Sequence, residues 1–127
     1  MQHFENLNSK QLIRKYDSIK NDLAHAYVDD AARLRSSMIR MVEELEWRRM
    51  HTTLVFSVIK VDDRLGGPYA VQVEEVVIDP VHEYRPFVRY AYLEPTISYS
   101  SRSRAEREMT RRMEEWKGRG WTVEVAE

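Results

Sequence analysis

The chain has 127 residues, 43% apolar and 32% charged, with a net charge of −1. That length fits one domain and can bury about two-thirds of its unfolded surface, so folding requires neither a disulfide nor a metal. The absence of cysteine excludes disulfides, thiolate metal sites and cysteine nucleophiles and fits a cytoplasmic compartment, while the near-neutral charge supplies no overall attraction to nucleic acid.

The first eight residues have an uncharged start and no long apolar run, so no secretory signal pattern is read there. Asn8 is placed to cap a helix, with Gln11 at its third position and Leu7 able to staple onto Leu12. Leu12, Tyr16, Ile19, Leu23 and Ala26 recur in a heptad-like seam, which predicts a helix from about Ser9 to Tyr27. A second seam, Ala31, Leu34, Met38, Met41 and Leu45, is widened by Ile39, Val42 and Trp47, with Asp29 or Asp30 as its cap. The two seams are out of phase and Val28-Asp29-Asp30 is a poor helix centre. A hairpin is therefore favoured, although no Gly or Pro enforces the break and one long helix could absorb the shift.

Beyond Thr52 the pattern turns to strand. Thr53–Val61 is β-branched and apolar on both faces, as a central strand is. Its apolar run Leu54–Ile59 is broken by Ser57 and is far too short to span a bilayer. Gly66-Gly67-Pro68 marks a turn, Tyr69–Ile78 a second strand and Asp79-Pro80 another turn. Val81–Glu94 reads as a third strand interrupted by Pro86, hence an edge strand or a bulged one. Ser103 with Glu106 forms a capping-box pattern for a last helix whose stripe is Ala105, Met109, Arg112 with Met113, and Trp116. Gly118 suits the position just past its end. Trp121, Val123 and Val125 then alternate as a short final strand.

The order predicts an α+β fold in a single domain, 1–127: an N-terminal helical hairpin (or one long helix) over 9–51, then a β-β-β-α-β region over 52–127. That region would form an antiparallel sheet of three to four strands with one C-terminal helix.

Five patterns could carry chemistry. Tyr84, Arg85, Phe87, Arg89, Tyr90 and Tyr92 interleave along the third strand, and Arg102, Arg104, Arg107, Arg111 and Arg112 follow. Arginines supply phosphate contacts and tyrosines stacking planes, so Arg85, Arg89, Tyr90, Tyr92, Arg104 and Arg107 are the candidate ligand-binding residues. The competing reading is packing by the strand tyrosines, with helix arginines paired to glutamates four residues away. Asp62, Asp63, Glu74, Glu75, Asp79 and Glu83 could hold a divalent cation, as a metal-dependent nuclease requires. The Asp pair, however, stands in turn chemistry and the strand lacks the expected lysine. His3, His25, His51 and His82 show no metal spacing, and the serines fall in no nucleophile motif. No cofactor, metal or membrane partner is expected.

The fifth pattern is the helical seam itself. The helices carry more apolar residues than a closed hairpin needs, and Met38, Met41 and Met50 add adaptable surface. Leu12, Tyr16, Ile19, Leu23, Leu34, Met38, Met41 and Leu45 are the candidate oligomer interface. The leading expectation is a non-enzymatic, oligomeric binding or regulatory protein acting on a protein or small anionic ligand. In size and lack of a catalytic motif it is similar in style to accessory proteins of bacteriophages and mobile elements. The alternatives are a nucleic-acid- or nucleotide-binding protein and, third, a small metal-dependent nuclease.

Overall fold

The computed structural model describes residues 4, 6–25, 27–62, 66–78 and 87–126. Its elements are α1 (Ser9–Leu23), α2 (Val28–His51), β1 (Thr52–Lys60), β2 (Tyr69–Val77), β3 (Phe87–Leu93), α3 (Arg102–Gly118) and β4 (Thr122–Val125). They group into two compact units, Met1–Met50 and His51–Glu127. The fold is α+β, as predicted.

In the first unit the hairpin is real. The Asn8 side chain accepts from the Gln11 backbone N–H at 2.8 Å, and the Gln11 side chain accepts from the Asn8 N–H at 2.9 Å. The expected capping box is thus complete. The helix stops at Leu23, short of the expected Tyr27, which stands 86% exposed and contributes nothing to the seam. Helix α2 begins at Val28, ahead of the expected caps. Asp30 is drawn into the first turn, where it pairs with Arg33 at 3.6 Å and suits the positive helix end.

Phe4, Leu12 and Met41 form the buried centre of this unit, with Leu7, Tyr16, Ile19 and Leu45 packed around them. Arg48, near the end of α2, is 1% exposed. Its Nη2 donates to the Phe4 carbonyl at 2.8 Å, its Nε to Glu44 at 2.9 Å and its Nη1 to Ser9 Oγ at 3.5 Å. One guanidinium therefore ties the start of α1 to the last turns of α2.

The second unit is built on a sheet of order β3-β2-β1-β4. Strand β1 is central and β3 an edge, as the apolar run and Pro86 suggested; residues 81–86 of the predicted third strand lie outside the described residues. Strands β1, β2 and β3 are antiparallel neighbours, but β4 pairs with β1 in parallel, Thr53 opposite Thr122. The sheet is thus mixed, a correction to the antiparallel expectation. The reason is topological: α3 is a crossover that carries the chain from one edge to the other, and a crossover returns a strand in its original direction.

Alternation places Leu54, Phe56 and Val58 of β1 on one face with their partners Glu75, Val73 and Val71 of β2. Tyr90 and Tyr92 of β3 join them opposite Glu75 and Val73. Helix α3 packs over β1, β2 and β4 and buries Ala105 and Trp116. Its cap is Ser101, with extended backbone (φ −127°, ψ 147°), whose hydroxyl accepts from the Arg104 N–H at 3.2 Å. Ser103, the expected cap, lies inside the helix, and Glu106 pairs with Arg102 at 3.1 Å.

At the other end of α3, Gly118 is the last helical residue and Gly120 takes the left-handed conformation, φ +90°. The Gly120 N–H donates to Lys117 O at 3.0 Å and the Trp121 N–H to Trp116 O at 3.2 Å. This double closure is a Schellman cap, and its customary apolar contact is made by Trp116 and Trp121, edge to face at 5.3 Å.

Candidate functional site

Among the described residues the arginine–tyrosine candidates fall on two elements, β3 and the first turns of α3. Between the pairs Glu75–Tyr90 and Val76–Val88 the register shifts, so Arg89 is the extra residue of a bulge on β3. Its guanidinium sits 5.4 Å above the Tyr90 ring. Tyr90 and Tyr92 are half-buried, and their hydroxyl oxygens are out of contact with solvent. Arg104 is exposed at the start of α3, 5.8 Å over the ring of buried Tyr99. Arg107 is exposed on the side of α3 away from Ala105, at 100° per residue. Arg85 lies outside the described residues.

The tyrosines share their face with two buried carboxylates, Glu75 (1% exposed) and Glu94 (2% exposed). The sequence reading missed Glu94 as an interior group, although alternation from Tyr90 through Tyr92 leads to it. Arg112 reaches it from α3, Nη1 to Oε1 at 3.1 Å, and its Nε donates to Glu108 at 3.0 Å. Arg111 is bonded to Glu108 and to Glu115, the latter at 2.7 Å. Hydrogen bonding to Arg111, then to Arg112, holds the Glu108 carboxyl below its ordinary value against the opposing effect of burial. Glu108 in turn raises Arg111. Burial, followed by the Glu108 charge, pushes the Tyr99 phenol above its ordinary range. Chemically, this arrangement is an ion-pair brace between the end of β3 and α3.

Of the acidic candidates, Asp63, Asp79 and Glu83 lie outside the described residues. Among the described residues no three His, Cys, Asp or Glu side chains come together to hold a metal ion. His3 and His82 also lie outside them, and the His51 carbonyl accepts from the Ile78 N–H at 2.7 Å.

The helical hairpin offers a different site. Leu12 and Met41 are fully buried, and Tyr16, Ile19 and Leu45 pack on them, so these five form the hairpin's own core. Leu34 is half-buried. Tyr16, Leu23 and Met38 border an open groove of about 400 Å³ completed by Arg35, Ile39, Val42 and Glu43. Ile39 is 60% and Val42 43% exposed. At 100° per residue these two lie roughly 100–160° around the axis from Met41, forming a second, outward stripe on α2. The signal for it was present in the sequence as the residues that widen the second seam.

No protein-family model, curated protein or solved structure matches the chain.

Proposed function

We propose that this chain is a non-enzymatic binding protein whose N-terminal hairpin serves as a docking surface for protein. The observation that carries this reading is the groove between α1 and α2, with Ile39 and Val42 at its open side. Covering the exposed parts of those two side chains would contribute about 1–2 kcal/mol for Ile39 and about 1 kcal/mol for Val42. Exposed arginine–glutamate pairs of the kind that decorate α3 are worth about 0–1 kcal/mol each. The apolar groove is therefore the stronger driving surface.

The test combines light scattering with the fluorescence of anilinonaphthalene sulfonate. Either the wild-type protein assembles, or it remains single and enhances the dye through the groove. Replacing Ile39→Glu together with Val42→Glu should abolish whichever behaviour is seen while circular dichroism remains unchanged. A single chain without dye enhancement would refute the reading, as would behaviour indifferent to the double replacement.

A further inference from the structure

The groove's rim carries two opposite charges in a regular arrangement. Arg35, Ile39 and Glu43 follow one another at four-residue steps on α2, so they form one stripe with the isoleucine midway. All three are exposed. Among the described residues neither Arg35 nor Glu43 takes part in an ion pair. Each charge stands about 6 Å along the axis from Ile39, on opposite sides of it.

This pattern is self-complementary in only one sense. Turned end for end about Ile39, the stripe presents glutamate where it had arginine and arginine where it had glutamate. A second α2 laid antiparallel therefore meets opposite charges on both flanks. A second α2 laid parallel would set arginine beside arginine and glutamate beside glutamate. Two-fold interfaces bring the same patch of both subunits together, so a residue and its counterpart exchange roles across the axis.

From this we infer that the occupant of the groove is a second copy of the hairpin, docked antiparallel about a two-fold axis at Ile39, with Arg35 of each copy beside the partner's Glu43. The inference rests on the docking reading above and adds its partner and orientation. Ile39 meets its own counterpart at the axis. Val42, one turn along, enters the space between the partner's Arg35 and Ile39. Tyr16 and Leu23 wall the groove from α1. The apolar contact supplies the attraction, and the charges fix the direction, since wrong pairings place like charges in contact.

Charge exchange tests it. Arg35→Glu and Glu43→Arg, each alone, put like charges on both flanks and should raise the dimer dissociation constant on the order of tenfold, measured by sedimentation equilibrium at low salt. The double variant Arg35→Glu/Glu43→Arg restores opposite charges and should return close to the wild-type value. An equimolar mixture of the two single variants should form the mixed dimer in preference to either parent. Circular dichroism of each variant checks that the helices are retained.

A wild-type dimer indifferent to the single exchanges, or single exchanges that the double variant fails to rescue, overturns the inference. So does a wild-type monomer at the highest attainable concentration. If that monomer enhances the dye and Ile39→Glu with Val42→Glu removes the enhancement, the docking reading stands and the second copy alone is refuted. Without dye enhancement both fall together.

Discussion

Replacing Arg48 separates hydrogen bonding from packing in the helical unit. The residue is 1% exposed, and its side chain bonds to the Phe4 carbonyl at 2.8 Å and to Glu44 at 2.9 Å, besides the long contact with Ser9. Arg48→Met keeps most of the apolar stem and removes the donors. It leaves the Phe4 carbonyl buried without that donor, a cost of about 1–3 kcal/mol. Glu44 is part-exposed, 27% at its side chain, and water can satisfy it at smaller cost. Against this stands the desolvation that a buried guanidinium no longer incurs. The expected net loss for the methionine variant is about 1–2 kcal/mol. Arg48→Ala also opens a cavity and should lose about 2–5 kcal/mol. Urea unfolding followed by far-ultraviolet circular dichroism measures both. A methionine variant as stable as wild type would show that desolvation cancels the bonds. An alanine variant as stable as wild type would refute the role of Arg48 as the tie between α1 and α2.

Three further outcomes follow from the geometry. Leu12→Ala removes a fully buried member of the hairpin core and should cost about 2–5 kcal/mol in the same unfolding assay. A Cβ on Gly67, which has positive φ, would fall on the Tyr99 carbonyl. Gly67→Ala should accordingly destabilise the sheet unit by about 1–3 kcal/mol, read from the fluorescence of Trp116 and Trp121, and an unchanged midpoint would count against the close approach. Glu108 has a depressed carboxyl value, so its contribution is fully present above the ordinary value of 4.5 and is lost as pH falls through the depressed one. Glu108→Gln should flatten the fall of stability with acid, whereas an identical slope in both proteins would contradict the Arg111 and Arg112 bonds.

Much of the fold was legible because local signals agreed. Asn8 and Gln11 announced the first helix, the two-sided apolar run announced the central strand, and Pro86 announced an edge. What was not legible depended on distant partners. The direction of β4 is set by the α3 crossover, and alternation of Trp121, Val123 and Val125 is the same for either direction. Ser101 and Ser103 are equally good caps by type; the extended backbone at Ser101 decides between them. Glu94 reads as a strand terminator before Pro95, and only the face shared with Val73 and Val71 makes it interior. At the candidate site, the heptad seam marked apolar positions without dividing them between inside and outside. Leu12 and Met41 were therefore named as interface, while the outward stripe ran through Ile39 and Val42. How the arginine–tyrosine pattern is displayed was not legible because a bulge at Arg89 breaks the alternation of the strand.

The parallel seat of β4 on β1 bears on the order in which the protein can be made. The hairpin's contacts join segments close in sequence, so it can form soon after α2 leaves the ribosome, as local structure does. The central strand meets its neighbour β4 only after the whole crossover has been synthesised. Until then one margin of β1, with open backbone donors and acceptors, is available to any extended chain nearby. Slowing translation between α3 and β4 should lengthen that interval and increase aggregation of nascent chains, while leaving the finished protein unchanged.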